Sequence, residues 1–549
     1  MPGRRTSSFV ATLAAVAIAL CLGAASAGAT TFCVPAFSSA CPNSGGNVAV
    51  ADLEEAMGSN ATDGVADQIF LGAGTFSEDN DFEPEPGFSS PESFEPDGTD
   101  PLSIFGSGPA STTITSAGNK NVYVVNLSYN NSRTVTLSNL AVRVPASFPD
   151  GLGAAVYLFN GDSLKNVNVV SLNAGSDGVD AGGPGNLVFA GTLRAEGAGA
   201  ALDDGLRVSN ENSAMTVDGT TLKGASWPLS VSAATGSLTA RRVTEIGTRT
   251  YGAIATAGTL AIENSIFAID DGVGLYASAG TPNTLLKADH VTVVNSGPSD
   301  PALEVKKSGS GPGDATLELT NSILRGFASG YEVEGIAGPG IGLATLIARY
   351  SNFQGTGTSS GVLDLGSGNI DVDPQLAGDY SLPPGSPSID AGDPAPGGLD
   401  LDFLSEPRPN DGDGNGAAVR DQGAFEYQRP ASAGGGGAER PSGSSGGEPD
   451  PLGSGSGGDP DTKAPQTTIR KGPGDELATG KAKFVLGSSE GGSRFQCKLD
   501  ARKVSGCRSP QRYGRLEPGR HTFKAWATDA AGNKDPTPAK RSFRVPGSS

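Results

Sequence analysis

Short apolar runs bounded by Gly, Asn and Asp recur through the middle of the chain, and their recurrence constrains the fold more than any other feature. "VTLSNLAV", "SLKNVNVV", "TVDGTTLKG", "SLTARRVTEI", "TLAIENSIFA", "LLKADHVTVV", "ATLELTNSIL" and "TLIARYSNFQ" supply apolar anchors at Leu140, Val167, Leu193, Leu222, Val243, Ile266, Val291, Ile323 and Phe353, spaced 21 to 32 residues apart. A loose period in the twenties is the signature of a solenoid. Between the anchors runs a second, weaker series: "AAVYLFNG", "DGVDAGG", "DGLRVSN", "PLSVSA", "GAIATA", "DGVGLYAS", "ALEVKKS" and "GYEVEG". Two or more strands per repeat without an intervening helix exclude a βαβ unit. They fit a parallel β-helix, with inward Val, Ile and Leu stacking into one core. With rungs ~4.8 Å apart, nine coils would make a rod on the order of 40 Å long. A propeller is the rival fold, but its blades need repeats of roughly 40 residues or more.

Composition agrees with an all-β chain: 81 Gly and 38 Pro in 549 residues are too many for a helical protein. The exposed ends of a solenoid need covers. At the near end "VAVADLEEAMGS" puts Val50, Leu53 and Met57 on one helical face, so a short capping helix is expected there. "DQIFLGAGTF" and "PLSIFGSGPASTTI" read as the first coils, separated by an insertion with nine acidic residues and evenly spaced Phe82, Phe88 and Phe94. The insertion is expected to be a solvated loop whose Phe residues fold back on the rod, the alternative being a ligand-contacting or cation-binding flap.

Arg4 and Arg5, an apolar run from Phe9 to Leu22 and small residues ending in Ala25-Ser26-Ala27 give residues 1–29 the pattern of a secretory signal. Leu20 before Cys21 argues against a lipid anchor, and no later run approaches the ~20 apolar residues of a membrane span. The mature chain is therefore expected outside the cytoplasm, secreted or at the cell surface, as a monomer without a transmembrane segment. Its four remaining cysteines form two close pairs, Cys33 with Cys41 and Cys497 with Cys507, read as two local disulfides. A zinc site would need CxxC-like spacing.

The charge of −20 is uneven: residues 461–549 hold 18 Lys+Arg against 8 Asp+Glu, a net of +10, leaving −30 on the rest. An acidic body argues against nucleic acid as a partner. Residues 429–463 form a Gly/Ser/Pro linker, whose ~35 flexible residues would typically span ~30 to 35 Å. Beyond them "QTTIRK", "AKFVLG", "RFQCKLD", "HTFKAWATD" and "RSFRV" predict a small β-sandwich over 464–549.

"DPLSIFGSGPASTTI" and the ladder of "LxxxNSxI" runs resemble secreted right-handed β-helix proteins of the pectin-lyase-like kind. "NIDVDPQLAGDYSLPPGSPSIDAG", "PRP" at 407–409 and "DQGAFEY" at 421–427 are similar to the closing segment of the bacterial choice-of-anchor Q family. In that family the segment follows the last coils, so residues 369–427 would wrap and close the far end of a β-helix spanning 30–428. Their Pro residues, Pro374, Pro383, Pro384, Pro387, Pro407 and Pro409, remove the backbone donors needed to lengthen the ladder. "FQCKLD" followed by "GRHTFKAWATDAAGNKDPTP" resembles bacterial secreted Ig-like modules.

No catalytic triad, HExxH, P-loop or dinucleotide motif occurs. The two histidines, His290 and His521, lack a patterned partner. Carboxylates are the candidates. Asp177 lies 10 residues past Val167 and Asp203 lies 10 past Leu193, so these two are expected to stack on adjacent coils. At one strand spacing they would stand near the separation used by retaining glycosidases, and like-charge repulsion would raise one pKa. Asp204, Asp180 and Asp270-Asp271 extend the track. The competing reading takes Asp177-Gly178, Asp204-Gly205 and Asp271-Gly272 as turn dipeptides with unusual φ at coil corners. Pectate lyases of this shape pair calcium-binding Asp with an Arg or Lys base, while the related hydrolases carry a Gly-His-Gly and an Arg-x-Lys string that this chain lacks.

"DGDGNG" at 411–416 matches the first half of a calcium loop, but its twelfth position is Gln422 where an EF-hand needs Glu. It reads as a turn in the closing segment; the alternative is a structural Ca2+ held by Asp411, Asp413, Asn415 and Asp421. The leading expectation is an extracellular β-helix that binds polysaccharide or serves a structural, adhesive role, with a basic module able to hold anionic cell-envelope polymers. The alternative is a polysaccharide lyase or glycoside hydrolase using Asp177, Asp203 and Asp204.

Overall fold

The computed structural model describes residues 30–39, 41–44, 46–58, 65–78, 100–116, 124–126, 134–145, 154–158, 161–171, 177–195, 202–248, 250–395, 398–429, 464, 467–473, 482–488, 494–500, 505–507, 511–513, 516–528 and 533–545. The expected signal, the Phe-bearing insertion and the linker lie outside these residues. The chain divides into two compact units, Met1–Tyr427 and Gln428–Ser549. Among the described residues no helix is long and apolar enough to cross a membrane.

The first unit is a parallel β-solenoid. Its strands form two ladders, a 21-stranded one (ladder 1) and a 10-stranded one (ladder 2). Within each, every pairing is parallel: Leu137 sits on Ile104, Leu164 on Leu137, and farther along Leu286 on Leu260 and Leu317 on Leu286. All nine anchors are buried. All but Ile266 and Ile323 line one continuous core with Val156, Val179, Leu206, Leu229, Ala253, Leu275 and Leu303, the inward row of ladder 2; Ile266 packs instead with Ala424 and Phe425. Burying each such side chain contributes about 1.5–3 kcal/mol, so the stack, rather than any single coil, holds the rod together.

The "NS" motif has a specific physical basis. Asn139, Asn166, Arg242, Asn264, His290, Asn321 and Tyr350 occupy one corner of ladder 1 with φ between 46 and 56°. Asn tolerates this left-handed conformation better than most side chains, so it recurs where each coil bends. The following serines tie the coils together. Ser265, Ser322 and Ser351 donate to the carbonyls of Glu263, Thr320 and Arg349 at 2.8, 2.7 and 2.8 Å. The same hydroxyls accept the N–H groups of Val243, Val291 and Ser322 from adjacent coils at 3.1, 3.0 and 3.0 Å.

At the near end a helix spans Leu53–Gly58. Asp52 accepts the N–H of Glu55 at 2.8 Å, and the Glu55 carboxylate accepts the N–H of Ala51 at 2.9 Å, a reciprocal cap. Leu53 and Ala56, with Val50 before them, enter the core. The expected Cys33–Cys41 disulfide is present in the adjoining strand region.

The Pro-rich segment 369–427 does not close the far end. After Ile370 bridges to Asn352, the chain runs back along the bent corner of ladder 1. Gly423 N–H donates to the Asn321 carbonyl at 2.7 Å, Ala424 N–H to Thr292 Oγ1 at 2.9 Å, and Asn264 Nδ2 to the Leu401 carbonyl at 2.7 Å. Phe403 and Phe425, 5.3 Å apart, pack with Ala424 against Ile266. The segment is thus a strap along the flank. The last rung, Val362–Leu365, leaves Val362 41% and Leu365 37% exposed. The strap lies where it does because the corner residues offer side-chain amides and unpaired carbonyls, whereas a rung end offers a sheet edge that its prolines cannot pair with.

"PRP" and "DQGAFEY" meet inside the strap. Arg408 is fully buried, donates to the carbonyls of Gly423 and Ala424 at 3.1 and 2.8 Å, and lies 3.7 Å from the equally buried Glu426.

The second unit contains a three-stranded and a four-stranded antiparallel sheet. Phe484 stacks on Phe523 at 3.8 Å between ring centroids, with Phe543, Leu499 and Cys497 completing the core. Cys497 and Cys507 form the second disulfide. The arrangement is that of a small β-sandwich, as the run spacing predicts.

Candidate functional site

The carboxylates gather on the outer face of ladder 2, where the strands Asp177–Ala181 and Leu202–Val208 lie side by side. Val179 pairs with Leu206 and Asp180 with Arg207, which stacks Asp177 on Asp204, not on Asp203. The expected pair is therefore off by one residue. Counting from Val167 and Leu193 fails for two reasons: the anchors do not face one another, Val167 standing opposite Gly191 and Val169 opposite Leu193, and the step from Ala195 to Asp204, 9 residues, is longer than the 6 from Ser171 to Asp177. Aligning the two Asp-Gly dipeptides directly gives the register that exists.

Asp177 Oδ1 accepts the N–H of Asp204 at 3.2 Å. Arg207 Nη1 lies 3.0 Å from Asp177 Oδ2 and 3.5 Å from Asp204 Oδ2, bridging the two coils. Asp180 accepts a hydrogen bond from Ser209 Oγ at 2.7 Å. Burial pushes the Asp204 carboxyl up to about 7, with Asp177 adding to the rise. Burial likewise pushes Asp180 up to about 6, Ser209 and Arg207 opposing it. Asp177 is also raised by burial, against the pull of Arg207. Asp204 and Ser230 are buried side by side, and the Ser230 hydroxyl works against the rise of the Asp204 carboxyl. They line a shallow depression of about 120 Å³ with Asp203, Arg207, Trp227, Ser232, Ile254 and Thr256. That is smaller than the ~300–1,000 Å³ of a small-molecule pocket, so the feature is part of an open face.

Aromatic rings continue this face. Asp204 pairs with Trp227 in the next rung. Trp227 and Tyr251 lie 6.3 Å apart between ring centroids, and Tyr251 and Tyr276 lie 4.7 Å apart. Tyr276 then pairs with Glu304 and Glu304 with Glu332. Arg207, Ser230 and Tyr276 are hidden in sequence because they sit in runs recognised by apolar alternation alone, and Trp227 and Tyr251 because each stands one residue before such a run. Arg207 was recoverable from the same Asp-Gly alignment, which sets it beside Asp180.

The turn reading of the Asp-Gly dipeptides holds for one of three. Gly272 has φ of 109° and sits in a turn, whereas Gly178 and Gly205 lie within strands outside the left-handed region. They are glycines for lack of space. A Cβ on Gly178 would stand 2.0 Å from Leu193 Cδ1 and 2.5 Å from the Gly205 carbonyl oxygen, and one on Gly205 would stand 2.6 Å from the Pro228 carbonyl oxygen. Asp270 and Asp271 lie in a separate stretch, where Asp271 caps Gly272 N–H at 3.0 Å.

In the "DGDGNG" loop the carboxylates that converge are Asp390, Asp411 and Asp413, with oxygens within 4.8 Å of one another. Asp390 was not foreseen. Asn415 and Asp421 take other partners. Asn415 bonds Asp413 and Ala417 N–H, and buried Asp421 accepts the N–H groups of Asp390 (2.7 Å) and Tyr427. Asp411 accepts Gly414 and Gly416 N–H at 2.8 and 3.1 Å, and Asp390 accepts Asp413 and Val419 N–H at 2.7 and 3.2 Å. These bonds account for the turn by themselves, and a cation at the three carboxylates would take its remaining oxygens from backbone carbonyls or water.

His290 is structural. It occupies the bent corner, buried, with Nδ1 2.8 Å from Asp289 Oδ1. Burial and neighbouring Arg408 hold its pKa down at about 4, so it is neutral. His521 lies between Asp500 Oδ2 and the Glu517 carbonyl, each 2.7 Å away.

No family model matches the chain, and no curated protein matches it. Among solved structures it is similar to a pectate lyase, Pel9A, at 14% sequence identity and a TM-score of 0.41, over 73% of this chain and 97% of that one.

Proposed function

We propose that the chain is an extracellular glycan-binding β-solenoid whose binding surface is the outer face of ladder 2. One observation carries this reading: a carboxylate pair bridged by Arg207 is followed, on successive rungs, by Trp227, Tyr251 and Tyr276. Aromatic rings offer flat apolar faces to the C–H side of a sugar, while the Asp204 carboxyl and the Ser230 hydroxyl, both lining the depression, offer polar atoms to its hydroxyls. The charge of the face favours chains without carboxylates. Asp177, Asp180, Asp203 and Asp204 surround the single Arg207, and Glu304, Glu332 and Glu334 outnumber Lys306 farther along.

The pattern of residues 1–29 and both disulfides support secretion. In this reading residues 369–427, which run along the flank of the rod, are the segment that follows the last coils in the choice-of-anchor Q type, for which the Arg408–Glu426 pairing of its two motifs speaks. Residues 429–463 are a linker and residues 464–549 an Ig-like module.

A second reading, cleavage of the glycan, is favoured by one feature. Two carboxylates one rung apart, ~4.8 Å, with Asp204 raised to about 7, are suited to sharing acid and charge-stabilising roles. A screen of immobilised neutral glycans and polyuronates, with and without calcium, separates the readings. Retention without product supports binding. Product that disappears in Asp204→Asn, while Asp203→Asn keeps it, establishes cleavage by the stacked pair. Absence of retention and of product on every glycan would overturn both.

A further inference from the structure

We propose that the outer face of the four-stranded sheet in the second unit is a docking surface for a linear anionic glycan. The strands Arg494–Leu499, Gly519–Thr528 and Ala539–Val545 bury Cys497, Leu499, Phe523, Ala525, Phe543 and Val545 on one side. Alternation sends the residues between them to the other side. There Lys498 is paired with Lys524 and Lys524 with Lys540, three ammonium groups in one cross-strand row, and Arg520 is paired with Arg544.

Like charges directly opposite one another cost stability in a sheet. Among the described residues none of these five cations is in an ion pair. Asp500, the carboxylate nearest the row in sequence, is taken by His521 and by Thr522 N–H at 2.7 Å each. Folding thus sets up an uncompensated positive surface that an external anion would relieve. The rows are four residues apart along the strand, ~13 Å, and the lysine row is two strand spacings wide, ~10 Å. That footprint fits a chain better than a single ion. Thr522 and Ser542, with hydroxyls 3.3 Å apart, lie between the rows and suit sugar hydroxyls. Trp526 is already faced by Lys534 at 5.3 Å, so the surface lacks the series of stacking platforms that single-stranded nucleic acid uses.

The inference is independent of the ladder 2 reading, and the two fail separately because they rest on different variants. The experiment measures retention of the full chain on poly(glycerol phosphate) and on polygalacturonate as salt is raised, for the native protein and for Lys498→Gln/Lys524→Gln/Lys540→Gln. The two polymers separate phosphodiester from carboxylate recognition. The triple variant is expected to bind roughly a hundredfold more weakly to the preferred polymer, with a shallower salt dependence. The C-terminal unit of the variant should melt no lower than the native one, since repulsion has been removed. Lys165→Gln/Lys223→Gln, on the solenoid, should leave retention unchanged. Equal retention by the triple variant, salt-insensitive retention, or tighter binding to DNA than to either polymer would each overturn the proposal. So would finding that the row drives only salt-sensitive self-association of the chain.

Discussion

Asp177 and Asp204 occupy consecutive rungs of one parallel ladder, joined by a 3.2 Å hydrogen bond from the Asp204 N–H to Asp177 Oδ1 and by a shared contact with Arg207 Nη1. A backbone bond fixes the spacing of the carboxylates, and one guanidinium offsets their repulsion.

Replacing that guanidinium should therefore produce a pH-dependent loss. Both carboxyls are raised above their ordinary values. The stability such groups contribute is present at low pH and is lost as pH rises through the folded-state pKa. Arg207→Met should raise both further and melt close to native at pH 5 but clearly below it at pH 8.5. Equal depression at both pH values would show that Arg207 acts through packing alone.

Glu245 offers a converse test. It lies in the inward row between Leu222 and Phe267, fully buried, with Thr248 and the Ile246 backbone only partly offsetting the burial of its carboxyl. Burial pushes it up to about 8. Its protonated form is the one the fold accepts, so its contribution is lost from about pH 4.5 upward and is gone above about pH 8. Glu245→Leu should stabilise the solenoid by about 1–3 kcal/mol at pH 8 and by much less at pH 5, as read from denaturant midpoints. A destabilised variant at pH 8 would mean that the carboxylate has a partner the fold depends on.

Gly205→Ala should destabilise by about 1–3 kcal/mol or more, because the added methyl meets the Pro228 carbonyl oxygen at 2.6 Å. Gly416→Ala, where φ is 92° but no atom lies within 4 Å, should cost less, about 1 kcal/mol. Thermal melts of the two variants rank them, and a reversed order would remove the crowding argument.

Arg408→Met leaves Glu426 buried without its cation, which typically costs about 3–5 kcal/mol. The loss should be local to the strap. Limited proteolysis is expected to cut within 369–427 while the coils before it remain intact. Simultaneous loss of the whole solenoid would show instead that the strap holds the rungs together.

Much of the fold can be read from period alone, since every anchor from Leu140 to Phe353 is buried. Register is harder. Coils differ in length between the two ladders, Ser171 standing opposite Ala195 but Val179 opposite Leu206, so distant anchors misplace the partner of Asp177 by one residue while the local Asp-Gly pair does not. The strap's path along the flank left no mark in hydropathy, because it is held by the carbonyls and side-chain amides of Asn264, Asn321 and Asn352. Glu245 was invisible for a related reason: it is a polar residue in an inward row, and pattern reading assigns such residues to the surface. The aromatic face escaped notice because Trp227, Tyr251 and Tyr276 come together only across rungs.

The central claim, that glycan binds along ladder 2, is tested most directly through tryptophan emission. The chain has 2 tryptophans, Trp227 and Trp526. In Trp526→Phe the signal comes from Trp227 alone, beside the carboxylate pair. Titration with the best-retained neutral glycan should give a saturable change in that emission, with a midpoint matching the binding isotherm and weakened in Tyr276→Ala. A glycan that binds with full affinity while Trp227 emission stays unchanged would place the binding surface elsewhere.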